Sequence, residues 1–155
     1  MKDTTLCYIE NGKNQTLLLH RTKKKNDLNE NKWIGVGGKF EKGETAEQCL
    51  LREVMEETGL TLNSYTYRGV VDFISDVWED EKMHLFTAKV LDDTLKECDE
   101  GELKWVDNDK VLSLPTWEGD RVFLELLQKN EPFFHLTLCY EGEKLVKSEL
   151  DKLNK

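Results

Sequence analysis

The chain has 155 residues, which suits one domain spanning 1–155 around one core, and no repeat, linker or low-complexity segment divides it. Apolar residues make up 38%, charged residues 34%, and the net charge of −9 argues against polymeric DNA or RNA held by its phosphates. No run reaches the ~18 apolar residues of a membrane span, and residues 1–5 lack a signal-peptide stretch, so the expectation is a cytoplasmic protein without membrane contact. Cys7, Cys49, Cys98 and Cys139 are scattered and form no C-x-x-C pair, which favours buried, reduced thiols over a zinc site or a disulfide framework.

In chain order, residues 4–10 read as a strand, Asn11-Gly12 as a tight turn, and residues 16–21 as the hairpin partner. Residues 23–32 read as a polar loop. It overlaps the basic run Arg21-Thr22-Lys23-Lys24-Lys25, which reads either as a solvated loop or as a means of steering an anion, with Arg21 on a phosphate. Trp33-Ile34-Gly35-Val36-Gly37-Gly38-Lys39 follows as a glycine segment where a strand should feed a helix, and glycine lets backbone approach a ligand closely. Lys39 reads as a point charge for a phosphate oxygen, or as an exposed turn lysine. Thr45 with Gln48 predicts a capping box at the helix start, and Gly59 predicts its left-handed end. Ala46, Leu50, Leu51 and Val54 form the arc expected to bury.

Residues 62–74 predict one or two strands, 82–90 another, 92–100 an acidic loop, and 102–106 a short strand carrying Trp105. A turn of helix around 109–112 precedes Pro115 and an amphipathic helix over 117–129, with Val122, Phe123, Leu126 and Leu127 on its buried side. Residues 133–140 and 144–146 flank Glu141-Gly142 as a terminal hairpin. Strands mixed with a few helices give an α/β layered domain.

The chemistry concentrates in residues 38–60. Their fixed positions are Gly38, then five residues, Glu44, then seven residues, then Arg52-Glu53-Val54-x-Glu56-Glu57-x-Gly59-Leu60. Helical spacing puts Glu53, Glu56 and Glu57 on one face, at i,i+3 and i,i+4. Three carboxylates so close repel one another, and a hard cation such as Mg²⁺ or Mn²⁺ relieves the conflict while bridging to phosphate oxygens. A bound cation also lets an acidic protein hold a polyphosphate. Arg52, beside Glu53 and i,i+4 from Glu56, reads as a structural group that orients a carboxylate.

This string matches the signature box of the Nudix hydrolases, which the chain resembles. The resemblance implies a mixed β-sheet sandwiched between α-helices. It also implies a metal cluster of the Gly37 carbonyl, Glu53, Glu56 and Glu57, with Gly38, Glu44, Arg52 and Gly59 as structural members of the box. Glu100 matches an acidic residue outside the box that approaches the metal or the attacking water, or else reads as an exposed loop acid. One of Glu53, Glu57 or Glu100 would take the proton from water.

The box does not name the nucleotide. W-x-G-x-G-G-K before it, and L-P-T-W-E-G-D at 114–120, resemble the MutT-type branch that clears oxidised purine nucleoside triphosphates such as 8-oxo-dGTP, a role in nucleotide-pool sanitation. Trp117 offers a π face for a base, or anchors its helix in the core; Asp120 lies on the same helix face and can accept hydrogen bonds from purine N–H groups. Two departures stand out. The animal enzymes of this branch carry asparagine where this chain has Ile34 and a second aspartate where it has Gly119. The expected reaction is metal-dependent water attack on a nucleoside triphosphate, giving monophosphate and pyrophosphate. The alternatives are ADP-ribose, dinucleoside polyphosphates or capped RNA as substrate, and a nucleotide sensor without turnover.

Overall fold

Alternation along the first strand sends Cys7 and Ile9 to one side and Tyr8 to the other, and this split sets up two cores, one on each face of a sheet. The computed structural model of the protein describes residues 1–22 and 29–152, so Lys23, Lys24 and Lys25 of the basic run lie outside the described residues. Within them, the strands are β1 (Lys2–Glu10), β2 (Gln15–His20), β3 (Trp33–Ile34), β4 (Ser64–Ser75), β5 (Glu81–Lys89), β6 (Glu102–Asp107), β7 (Phe134–Glu141) and β8 (Lys144–Lys152). The helices are α1 (Ala46–Thr58) and α2 (Glu118–Gln128), with a 3₁₀ turn over Asn108–Ser113.

The strands form one mixed sheet in the order β3-β2-β1-β5-β4-β7-β8, with β6 also paired to β2. β1 runs parallel to β5 and β4 parallel to β7, while the other pairs are antiparallel. Helix α1 covers one face, where Leu50 and Val54 pack with Cys7, Ile9, Leu17 and Phe86. Helix α2 covers the other, where Phe123, Leu124 and Leu127 pack with Tyr8, Val71, Leu85 and Phe134. Each fully buried Leu or Phe in these layers contributes ~1.5–3 kcal/mol.

The box helix is built as its caps predict. The Gln48 N–H donates to Thr45 Oγ1 at 3.1 Å, the Thr45 N–H donates to Gln48 Oε1 at 2.9 Å, and Gly59 closes the helix at φ 76°. Several expectations are corrected. Leu51 is 46% exposed, because position 51 turns to the solvent side of the arc that Leu50 and Val54 bury. The β1–β2 turn runs over residues 11–14, with Asn14 and not Gly12 in the left-handed conformation (φ 63°). Residues 64–75 are one strand with an irregularity between Tyr67 and Gly69, and the terminal strand runs on to Lys152.

Candidate active site

The site begins where the glycine segment lies along the N-terminal half of β1. The Cys7 N–H donates to the Val36 carbonyl at 2.7 Å and the Thr5 N–H to the Gly38 carbonyl at 2.8 Å. A Cβ at Gly37 would lie 2.0 Å from the Thr5 carbonyl oxygen and one at Gly35 2.7 Å from that of Cys7, so this pairing has no room for side chains. Gly38 is different: a Cβ there would meet the Glu53 carboxylate at 2.5 Å. The missing side chain is the space through which an acid of α1 reaches the rim of the sheet.

Glu53, Glu57 and Glu100 line the same cavity, which has a volume of about 440 Å³. Glu57 is 7% exposed and accepts from the Gly37 N–H at 3.2 Å. Burial, then the negative charges of Glu100 and Glu53, pushes its carboxyl up to about 9. Burial also raises Glu53, against the Arg52 hydrogen bond that lowers it. Arg21 Nη1 donates to Glu100 Oε1 at 2.7 Å, so Arg21 joins the acid cluster. Lys39 lines the cavity from an exposed position.

Arg52 clamps the box from behind. Its Nε and Nη2 donate to the two oxygens of Glu44 at 2.6 and 3.0 Å, Nη2 also reaches the Lys39 carbonyl at 3.0 Å, and Nη1 reaches Glu53 at 3.0 Å. The Arg52 hydrogen bonds hold the Glu44 carboxyl down to about 2. Glu56 stands apart from the cavity: its side chain is 57% exposed and accepts from Arg52 Nη1 at 3.3 Å.

Carboxylates and a backbone carbonyl are the hard oxygen donors that Mg²⁺ or Mn²⁺ takes, and Glu53, Glu57 and Glu100 line the cavity together. The donor set fits such a cation. Among the described residues, no three acidic, His or Cys side chains are already gathered at coordinating distance.

The other end of the cavity is aromatic and deeply buried. Trp117, the N-cap of α2, is 5% exposed and stands edge-on to Phe73 and Tyr140 at 5.5 and 4.9 Å. Its Nε1–H donates to Asn29 Oδ1 at 2.8 Å, and Lys32 Nζ lies 4.6 Å from its ring centroid. Trp117 is therefore core anchor and cavity wall at once. Asp120 is 6% exposed, accepts from the Thr116 hydroxyl at 2.8 Å, and is lifted by burial to about 7. At Gly119 a Cβ would sit 2.5 Å from Leu138 and 2.6 Å from the Tyr140 hydroxyl, which accepts from the Gly119 N–H at 2.7 Å.

Sequence reasoning did not single out Glu81, Tyr140 or Asn29, all of which line this end. The signal for Glu81 was there: it shares the inward phase of Met83 and Leu85, but the expected strand starts one residue too late to include it.

The Nudix domain profile matches residues 2–127. The chain belongs to the Nudix family. Among Nudix relatives, the oxidized purine nucleoside triphosphate hydrolase of Danio rerio is 32% identical over 132 residues, 84% of each chain. The MutT protein of Bacillus halodurans has the same fold with a TM-score of 0.83 at 27% identity, covering 97% of this chain and 98% of its own. The MutT protein of Methanosarcina mazei Go1 gives 0.72 at 30% identity, covering 84% and 95%. The protein is thus a Nudix hydrolase with the mixed sheet between helices of the MutT structures. No helix among the described residues is long and apolar enough to cross a membrane.

Proposed function

We propose that this Nudix hydrolase cleaves a purine nucleoside triphosphate, an oxidised one such as 8-oxo-dGTP, to the monophosphate and pyrophosphate with a divalent cation. The observation that carries this reading is one cavity with two unlike ends: Glu53, Glu57, Glu100, Arg21 and Lys39 at one, Trp117 and Asp120 at the other. The first end suits a polyphosphate with its cation, the second a flat base with polar edges. The names of the relatives, oxidized purine nucleoside triphosphate hydrolase and MutT protein, point the same way.

In this mechanism the Gly37 carbonyl, Glu53, Glu57 and Glu100, with Glu56 reaching in from the exposed margin of α1, would hold Mg²⁺ or Mn²⁺, which would neutralise phosphate oxygens and acidify the attacking water. Arg21 and Lys39 bind phosphate oxygens. Arg52 keeps Glu53 oriented through the hydrogen bond at 3.0 Å. One of Glu53, Glu57 or Glu100 takes the proton of water, and Trp117 and Asp120 seat the base. No polymeric nucleic acid and no membrane takes part, and the net charge of −9 agrees with a small anionic substrate brought in with its cation.

Chromatography of the products from 8-oxo-dGTP, dGTP and ADP-ribose, with Mg²⁺, tests the proposal. Monophosphate and pyrophosphate from 8-oxo-dGTP are expected. AMP and ribose 5-phosphate from ADP-ribose, with both triphosphates untouched, would replace it, and Glu57→Gln at near wild-type turnover would move the chemistry away from the box helix.

A further inference from the structure

One buried acid at the nucleoside end has no part in the mechanism above. Glu81 opens β5 and is 8% exposed, yet its carboxylate is only loosely partnered: the Thr4 hydroxyl donates to it at 3.3 Å and Lys2 Nζ stands at 3.7 Å. Elsewhere the fold pairs carboxylates closely, Glu44 with Arg52 at 2.6 Å and Glu100 with Arg21 at 2.7 Å. Charge-assisted hydrogen bonds run at about 2.7–2.9 Å, so Glu81 keeps acceptor capacity that its protein neighbours do not use.

Register places that capacity inside the cavity. Lys2, Glu81, Phe73 and Leu138 are neighbours across four adjacent strands. All four line the cavity, as do Trp117 and Asp120 from the head of α2. A base held between this row of the sheet and α2 meets one acid from each side of the layer.

We propose that Glu81 is a specificity-determining residue that accepts two hydrogen bonds from the donor–donor edge of a guanine-type base, the ring N1–H and the 2-amino group. This deepens the purine nucleoside triphosphate reading and rests on it. A planar carboxylate matches two adjacent N–H donors in a fork. An adenine-type edge sets a ring-nitrogen acceptor beside its amino group, and a carboxylate oxygen facing that lone pair leaves both unpaired. Oxidation at C8 leaves the donor–donor edge intact, so Glu81 reads guanine against adenine and Asp120 stays free for the rest of the base.

The test compares kcat/KM of the wild type, Glu81→Gln and Glu81→Ala on dGTP, dITP and dATP with Mg²⁺. Inosine lacks only the 2-amino group, so the wild type should favour dGTP over dITP by about tenfold to a hundredfold. In Glu81→Ala that ratio should fall to about twofold or less, because the acceptor is gone. Glu81→Gln, whose amide offers one acceptor and one donor, should shift preference towards dATP. A wild-type dGTP/dITP ratio near one overturns the assignment, and so does an unchanged ratio in either folded variant. If neither variant folds, the wild-type comparison still decides. If the wild type hydrolyses no triphosphate, the proposed reaction fails by itself, and calorimetric binding of dGTP against dITP to the wild type then decides Glu81 separately.

Discussion

Gly37 and Gly38 are adjacent and chemically identical, yet an added methyl should do different harm at each. At Gly38 the added Cβ meets Glu53 Cδ and Oε2 at 2.5 Å and Oε1 at 2.8 Å, all at the free end of a side chain. Ordinary contact starts near 3.4 Å, so the carboxylate must retreat by about 1 Å, stretching its 3.0 Å bond to Arg52. A misplacement of ~1 Å in a catalytic group costs about a hundredfold in rate, or ~2.7 kcal/mol of transition-state stabilisation. Stability should barely move, since Gly38 is not in the left-handed region and an added Cβ stiffens the unfolded chain by ~0.4–1 kcal/mol. At Gly37 the Cβ strikes the Thr5 carbonyl oxygen at 2.0 Å and carbon at 2.6 Å, both backbone. The sheet must then open, at ~1–3 kcal/mol or more. Thermal melts and steady-state kinetics on 8-oxo-dGTP check both. Gly38→Ala should be folded and slow, and Gly37→Ala unstable. A Gly38→Ala enzyme with wild-type kcat would refute the idea that Glu53 works through the gap left by that glycine.

Three further outcomes are expected. Arg52→Lys keeps the charge but loses the fork to Glu44, so urea unfolding should show a loss of ~1–3 kcal/mol, and an unchanged midpoint would remove Arg52 as the clamp. Asp120 is raised from 3.8 to about 7, so the stability linked to its proton is fully present below 3.8 and lost as pH rises to about 7. Asp120→Asn escapes that loss; its advantage over the wild type should grow by at most ~4 kcal/mol between pH 4 and pH 7.5, and melts running parallel across that range would contradict the burial argument. Gly119→Asp, which restores the second aspartate of the animal enzymes, should destabilise the fold because Leu138 and the Tyr140 hydroxyl fill its space, and a melt equal to wild type would show that they yield.

The box helix was legible because its signals are local. A capping box, a closing glycine and i,i+4 spacing are settled within fifteen residues or so, and the structure has all of them. The partners of that helix are long-range. Glu100 lies in an acidic loop that the sequence offers no reason to bring to Glu57, and only the Nudix resemblance singled it out. Glu56 has the helical spacing of Glu53 and Glu57 and lies at the exposed margin of α1, where Arg52 Nη1 reaches it at 3.3 Å. Leu51 is exposed where spacing predicted burial, since a helix arc has two edges and tertiary packing chooses between them. Trp117 could not be divided between core and site because it serves both.

The cavity takes its lining from distant parts of the chain. The acids and their clamp fall within the residues matched by the family, whereas Leu138 and Tyr140 lie beyond residue 127, on a strand that pairs with β4. That strand decides what position 119 can be: with a tyrosine hydroxyl capping the Gly119 N–H at 2.7 Å, an aspartate there has no volume to occupy. Glu81 sits in the same row, two strands along from Leu138 when β4 is counted through, and lines the cavity from the sheet side. Because α1 packs on one face of the sheet and Leu138 and Tyr140 on the other, a substitution at position 119 acts on a different packing layer from the helix that carries Glu53 and Glu57.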